Sequence, residues 1–350
     1  MPGAFNYNFQ TSKKGSAFQG PTAGLVYTSS TTAPINPTVG DLWFDTNNAI
    51  LLVYVNDGSS SQWIETGSTN VGAGSIVSSG RLTLESGVPV STTDQTSKTI
   101  VYYTPYNGNT LSLYNGTSWN SYTFSEVSIS LGTLTSGKNY DVFAYVSGST
   151  VTLELGAAWT SDTARSDAIS LLNGVYVKTS NNTRRYLGTF RTTATTTTED
   201  SSTKRFLWSI NNQQQRSMLR NESTASWTYQ ALAYRYVNNS SSNRVEVVCG
   251  LPSFLYLTCN LWYTNATTVQ GIRTAIGEDS STTPATECII GDGATIPGYY
   301  LGASAFLSKT SATGYHFYAW MESTFTTVAV TIYGQDTVYR KTGITGYFIG

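Results

Sequence analysis

The sequence predicts an all-β, multi-domain protein whose short strands form β-sandwich-like or barrel-like domains. Charged residues make up only 12% of the 350 residues, about half the share in an ordinary soluble domain. Aromatic residues reach 13%, which is too many for a disordered chain. Uncharged polar residues alternate with Tyr, Val and Thr, as is typical of strands that have one solvated face.

Dipeptides that favour tight hairpins recur along the chain, because such turns need positive φ at their centre. They are Asp57-Gly58, Asn107-Gly108, Asn115-Gly116, Asn173-Gly174 and Asp292-Gly293. The hairpins predicted around Asp57 and Asn115 share one plan: an apolar strand, a Gly turn, a Ser-containing tip and a return strand with Trp. Helical patterns are almost absent: only residues 212–222 are compatible with helical turns, and their apolar content is too low to anchor a helix well.

The chain divides into a small unit, a linker and two larger β domains. The linker is rich in Gly and Ser, and the larger regions hold many short strands with frequent turns. The length also suggests two or three domains rather than one. The predicted bounds are 1–67 for the N-terminal unit, 68–80 for the linker, 81–205 for the central β domain and 206–350 for the C-terminal β-sandwich-like domain.

The N-terminal unit opens with a polar arm and ends with a hairpin from Gly40 to Glu65. A unit of this size has only a thin hydrophobic core. We expect the indole rings of Trp43 and Trp63 to cover that core from the strands of this hairpin.

Charge and hydropathy exclude two classes of partner. The formal net charge is −1, and the chain has no block of basic residues of the kind that nucleic-acid binding needs. No apolar run approaches the roughly 20 residues of a membrane span, so no membrane insertion is expected. The N-terminus has no apolar segment behind a basic start, so we expect no signal peptide and synthesis in a cytoplasm.

The single histidine of the chain lies in the strand-like segment GYHFYAWME, residues 314–322. Strand periodicity places the more apolar side chains on one face, which we expect to point inward: Tyr315, Phe317, Ala319 and Met321. The other face mixes aromatic, imidazole and carboxylate groups, which suit either sugar rings or a neighbouring subunit. We therefore predict a glycan or subunit contact at His316, Tyr318, Trp320 and Glu322.

No metal or cofactor is expected. One histidine and three scattered cysteines do not supply a zinc site, and the acidic dipeptides only partly resemble a calcium loop. The odd number of cysteines argues against a disulfide framework. We expect buried thiols, and the pairing of Cys249 with Cys259 stays open.

Several segments resemble parts of bacteriophage proteins. GDLWFDT at residues 40–46, followed by LLVYVNDGSSSQWIE at 51–65, resembles a hairpin common in tail-fibre and other virion proteins. Further segments resemble parts of phage structural proteins, especially fibre-like ones: GRLTLESGVPV at 80–90, TRRYLGTFRTT at 183–193, RFLW at 205–208 and GYHFYAW at 314–320. The resemblance implies a structural component of a tailed-phage particle, often a homotrimer.

The resemblance thus implies a location in the virion, and the asymmetry between the polar arm and the two larger β regions favours a fibre or receptor-binding protein. We expect no enzyme activity. Residues 1–67 are expected to dock onto other virion proteins, while the C-terminal domain meets a host surface and its glycans. One alternative is a capsid decoration protein, or a head or neck fibre, without a receptor role. Another is a small tail-borne glycan hydrolase, since 21 acidic residues leave a catalytic carboxylate pair open.

Overall fold

The structure, a computed structural model, describes residues 18–19, 26–66, 76–265, 269–294, 296–335 and 340–350. The predicted all-β class is confirmed, since these residues form thirty strands and one 3₁₀ turn, Val237–Asn239. None of the helical structure in these segments is long and apolar enough to cross a membrane. The chain divides into two compact units, Met1–Ser75 and Ile76–Gly350.

The first unit contains one five-stranded sheet in the order of the sequence. Its strands are β1 (Phe18–Gln19), β2 (Val26–Ser30), β3 (Leu42–Asp45), β4 (Ile50–Asn56) and β5 (Ser61–Glu65). Strands β2 and β3 are parallel, and β3, β4 and β5 form an antiparallel meander.

The predicted indole pair covers the sheet of the first unit. The ring of Trp43 lies edge-on to that of Trp63, with ring centroids 5.7 Å apart. Trp63 also packs on Tyr54, its cross-strand partner. Such edge-to-face contacts add roughly 0.5–1.5 kcal/mol to the burial of the rings, which helps a small sheet to hold together.

The second unit begins with fourteen strands. They are β6 (Gly80–Thr83), β7 (Gln95–Lys98), β8 (Ile100–Pro105), β9 (Thr110–Tyr114), β10 (Trp119–Thr123), β11 (Val127–Ser130), β12 (Asn139–Ser147), β13 (Thr150–Leu155), β14 (Ile169–Leu172), β15 (Val175–Lys178), β16 (Asn181–Arg191), β17 (Thr198–Asp200), β18 (Lys204–Arg205) and β19 (Leu207–Ser209).

Eleven further strands complete the second unit. They are β20 (Gln215–Asn221), β21 (Ser226–Tyr229), β22 (Arg235–Tyr236), β23 (Arg244–Cys249), β24 (Ser253–Thr264), β25 (Gly271–Glu278), β26 (Gly291–Ala294), β27 (Leu301–Ser311), β28 (Gly314–Thr324), β29 (Val330–Tyr333) and β30 (Gly343–Ile349).

Two hydrophobic cores lie in the second unit. The first draws on residues between Leu82 and Leu207. The second lies between an eight-stranded sheet, which contains β23, β25 and β28, and a six-stranded sheet, which contains β20, β21, β24, β27, β29 and β30. The inner faces of these two sheets interdigitate as in a β-sandwich.

The expected boundary between residues 205 and 206 does not separate compact units. Strands β7, β17 and β18 belong to the same eight-stranded sheet as β23, and β19 pairs with β16 on the other side of the expected boundary. Phe143 and Tyr186 also enter the second core. Pairing of strands across the boundary joins the two β regions into one body.

Of the predicted linker, residues 68–75 lie outside the described residues. The remainder belongs to the second unit, since Ser78 forms a bridge with Leu111 and Gly80 begins β6. Residues 76–80 are therefore part of the folded body rather than a connection to it.

Four of the five predicted turn dipeptides lie between strands. The hairpins at Asp57 and Asn115 share the expected plan: each side chain accepts a hydrogen bond from a backbone N–H three residues on, at 2.7 and 2.9 Å. Asn173 has a φ of 51° in a two-residue turn, as the sequence predicts. The fifth prediction is wrong, because Asp292 lies within strand β26.

Residues 212–222, the segment compatible with helical turns, contain a strand instead. Residues Gln215–Asn221 form β20, which pairs with β30 along its full length. Arg216 and Met218 are buried, while their neighbours in the strand are exposed or half-buried. This period of two is that of a strand with one buried face, and sheet pairing overrides the helical propensity of the Gln-rich segment.

Candidate binding face

The side chains predicted to make glycan or subunit contacts are buried inside the chain. His316 is 6% exposed, and Tyr318, Trp320 and Glu322 are 0% exposed. They lie on β28, which has β23 and β25 as neighbours, and their face points to the second core. The predicted contact at these four residues is therefore wrong.

The residues expected to point inward lie on the opposite side of β28. Tyr315 and Phe317 are half-buried, and the guanidinium of Arg191 covers the ring of Tyr315 at 3.7 Å from the ring centroid. Ala319 and Met321 form a small satellite cluster on that side. Both sides of this strand are covered by protein, so apolar content alone did not identify the core side.

His316 forms a dyad with a carboxylate. Its Nδ1 lies 2.7 Å from Oδ2 of Asp279. Burial opposes the charged imidazolium, but the hydrogen bond and charge of Asp279 outweigh burial and raise the pKa of His316. Its Nε2 is buried and has no hydrogen-bond partner among the described residues, so the dyad is not extended to a serine or cysteine nucleophile there.

Glu322 anchors the segment from Trp227 to Asn238. Its carboxylate accepts hydrogen bonds from Trp227 Nε1 at 2.7 Å, Arg235 Nε at 2.8 Å and the backbone N–H of Asn238 at 3.2 Å. Burial raises the pKa of Glu322 to about 7, and these donors oppose that rise. With its acceptor oxygens engaged from three directions, this carboxylate has a structural role.

The thiols of Cys249 and Cys259 are buried and form no disulfide. Burial raises the pKa of each to about 12, so neither is a thiolate near neutral pH. The expectation of buried thiols is confirmed for this pair. Across the described segments, no group of three His, Cys, Asp or Glu side chains could hold a metal ion.

A large exposed surface lies on the outward side of the six-stranded sheet. In β24, aliphatic residues such as Leu255, Leu257 and Leu261 point inward and are fully buried. The alternate positions point outward, where Phe254 is 40% exposed. We call the outward side of β20, β21, β24, β27, β29 and β30 the outer sheet face.

Aromatic rings form a platform on the outer sheet face. Tyr256 of β24 pairs with Tyr347 of β30, and the two rings stack with centroids 5.7 Å apart and planes at 30°. Phe254 extends the group, with its ring 6.1 Å from that of Tyr347. Ser308 and Ser217 pair with these tyrosines on the flanking strands, so hydroxyl groups border the rings.

In the next row of the outer sheet face, the polar residues lie in the centre and the apolar residues lie on either side. Thr258 and Thr345 are the central pair, and Phe306 and Leu219 flank them. The two flanking side chains are 42% and 44% exposed. The row continues to the 57% exposed Ile289, which bridges to Phe306.

The outer sheet face carries no formal charge at its outward strand positions. In the six strands as the structure describes them, these positions hold Gln215, Ser217, Leu219, Asn221, Ser226, Thr228, Phe254, Tyr256, Thr258, Asn260, Trp262, Thr264, Gly302, Ser304, Phe306, Ser308, Thr310, Thr331, Tyr333, Gly343, Thr345, Tyr347 and Ile349. At one end, the guanidinium of Arg340 lies 4.9 Å from the ring centroid of Tyr333.

The dimensions of the outer sheet face suit an extended ligand. Strands β27 and β20 stand three strand spacings apart, or roughly 14 Å. Phe254 and Trp262 are eight residues apart on β24, or roughly 26 Å. The sequence did contain a pattern for this face: in FLYLTCNLWYT the leucines share one parity with Cys259 and Tyr263, while the other parity holds aromatic, hydroxyl and amide residues but no aliphatic one.

Comparison with known proteins gives no family assignment. No protein-family model matches the chain, and no curated protein matches it. Among solved structures, the functional form of the mosquito-larvicidal Cry4Aa toxin from Bacillus thuringiensis aligns at 10% identity, covering 74% of this chain and 50% of the toxin chain, with a TM-score of 0.19. A tryptic core variant of the Cry1Da toxin from Bacillus thuringiensis aligns at 10% identity, covering 85% and 57%, with a TM-score of 0.15. The chain spans about half the length of these toxin chains, and at such scores the likeness carries no inference about fold or function.

Proposed function

We propose that this chain is a structural component of a tailed-phage particle, a fibre or receptor-binding protein that attaches to a host surface through the outer sheet face. The observation that carries this proposal is the exposed, uncharged and aromatic character of that face. Exposed large apolar side chains that lie together, as Phe306 and Leu219 do beside Ile289 and the aromatic rings, are typical of interaction sites. Aromatic residues are also enriched where proteins bind partners.

Carboxylates of the second unit form ion pairs inside the protein, which favours a binding role over a catalytic one. Several carboxylates in the second unit are engaged by buried cations: Asp141 pairs with Arg165 at 2.8 Å, and Asp200 pairs with both Arg205 and Arg216. These groups hold strands and loops together. The hydrolase alternative would need a carboxylate pair open to a sugar, whereas Asp141 and Asp200 are only 1% and 7% exposed.

The first unit is proposed to dock onto other virion proteins. It is compact by itself, and several of its apolar side chains are exposed, including Ile35 at 90% and Val39 at 56%. Large apolar groups held in a polar loop are suited to insertion into a partner. The proposed homotrimer would also cover edge strands such as β5, which is the last strand of its sheet among the described residues.

Competition with phage adsorption tests the proposed function. Purified protein should occupy host receptors and lower the adsorption rate of the phage that encodes it. The variant Tyr256→Ala/Tyr347→Ala should compete less well, while Tyr27→Ala, a change at a 40% exposed tyrosine of the first unit, should compete like the wild type. Undiminished adsorption at saturating wild-type protein would favour a decoration or head-fibre role instead.

A further inference from the structure

The ligand class of the outer sheet face follows from its chemistry. We infer that it binds a neutral polysaccharide, stacked on the rings of Phe254, Tyr256 and Tyr347 and hydrogen-bonded by the surrounding hydroxyl and amide groups. This inference deepens the proposed attachment function and rests on it. A sugar ring presents an apolar C–H side and a rim of hydroxyls, and the platform offers the matching surfaces in the same arrangement.

Charge decides between neutral and acidic saccharides. A carboxylated or phosphorylated glycan is normally met by Arg or Lys, which form charge-assisted hydrogen bonds. The rows around Tyr256 and Tyr347 contain no such group in the strands described. Lys309, next to Ser308 on β27, turns to the other side and pairs with Glu278 and Glu287. An acidic ligand would lose water here without gaining a cation.

Composition also favours a saccharide over a second copy of this chain. The cores of protein–protein interfaces are depleted in serine relative to the rest of the surface. Here Ser217 and Ser308 stand in the same row as the rings of Tyr256 and Tyr347. Hydroxyls distributed between rings supply donors and acceptors across the whole face, as a ligand with many hydroxyl groups requires.

The stacked pair is held in place by the backbone beneath it. Gly346 precedes Tyr347 and pairs with Leu257. A Cβ built at residue 346 would lie 2.0 Å from the carbonyl oxygen of Tyr256, so only glycine lets β30 approach β24 this closely. The backbone that carries the two rings therefore belongs to closely paired strands rather than to loops.

Affinity electrophoresis with defined polysaccharides tests the inference on the full-length protein. The probes are neutral dextran, mannan and galactan, and acidic polygalacturonate and polysialic acid. Retardation by at least one neutral probe and by neither acidic probe is the expected result. Tyr256→Ala and Tyr347→Ala should each weaken that binding about tenfold, and Tyr347→Phe should keep it because the ring remains.

The controls separate loss of binding from loss of folding. Each variant must melt at the wild-type temperature, and Tyr27→Ala must bind like the wild type. If a tyrosine variant unfolds, Phe254→Ser, at a 40% exposed position, replaces it and should also weaken binding. Retardation by the acidic probes, no retardation by any probe, or full binding by the folded variants would overturn the inference.

The inference and the proposed function fail separately. A protein that binds a neutral polysaccharide but is absent from phage particles would contradict the proposed function and leave the ligand class standing. A protein that is present on particles but binds none of the neutral probes would contradict the ligand class alone.

Discussion

Replacing Arg165 by methionine should destabilise the whole second unit. The guanidinium pairs with Asp141 of β12 at 2.8 Å, and the two side chains are only 12% and 2% exposed. Its Nη2 also donates to the hydroxyl of Tyr186 at 3.1 Å and to the carbonyl oxygen of Gly250, just beyond β23. Arg165 thus connects β12, in the first β region, to the residue that follows β23, a strand of the second core.

The expected loss of stability follows from the negative charge that the substitution leaves buried on Asp141. Arg165→Met leaves Asp141 buried beside the hydroxyl of Thr189, without a cation. Removing one partner of a buried ion pair costs about 3–5 kcal/mol, which corresponds to a fall of roughly 6–20 °C in the melting temperature of a body of this size. Burial already raises the pKa of Asp141, so the loss should be smaller at pH 5 than at pH 8, because the stranded carboxylate can take up a proton.

Differential scanning calorimetry of the full chain measures this loss. Arg273→Met is the matched control, because Arg273 and Asp292 form an exposed pair, at 38% and 57% exposure, whose loss should cost about 1 kcal/mol or less. Arg165→Met should shift the transition of the second unit as a whole. Equal shifts in the two variants, or a second unit that melts in two separate steps in the wild type, would refute the reasoning.

Three further predictions follow from the burial of particular side chains. Because burial raises the pKa of Glu322 to about 7 from 4.5, the folded state keeps a proton that the unfolded state has released, and stability should fall by roughly 3 kcal/mol as pH rises through that interval. Denaturant titrations from pH 4 to 8 should show this slope, and Glu322→Gln should remove it. Cys249 and Cys259 should resist alkylation in the native protein and react in denaturant, as counted by mass spectrometry; rapid native labelling would contradict their burial. Trp63→Ala should lower the melting temperature of the first unit, since the ring packs on Trp43, and a shift confined to the second unit would contradict the division into units.

Local chemistry made most strands and turns predictable. The Asx-stabilised hairpins at Asp57 and Asn115 are encoded within a few residues, so their form does not depend on the rest of the chain. Strand β24 shows its inner side in the sequence, because Leu255, Leu257 and Leu261 recur at every second or fourth position. Aliphatic parity therefore marked the core correctly there.

The location of the binding face could not be predicted from β28. Its more apolar parity is not the one that faces the second core, and both parities are covered by other segments. Which side meets a neighbouring sheet is decided by strands far away in sequence. Likewise, pairing with β30, more than 120 residues downstream, determines the extended backbone of residues 215–221, and the local sequence there gives no strong pattern of either kind.

The join between the two β regions also depends on long-range contacts. The short strands β17 and β18 lie in a polar, Thr-rich stretch that gives little indication of burial. Even so, Asp200 is 7% exposed and holds Arg205 and Arg216. The sheet around them is completed by β23, which pairs with β18 from about 40 residues downstream. That pairing has no local pattern, so sequence reasoning placed a domain boundary where the structure has a shared sheet.

The most direct test of the proposed function is immunogold labelling of intact phage particles with antibody raised against residues 76–350. A fibre or receptor-binding protein predicts gold at the tail or its fibres. Label spread over the capsid would contradict the receptor-binding role in favour of decoration, and particles without label would contradict a virion component altogether.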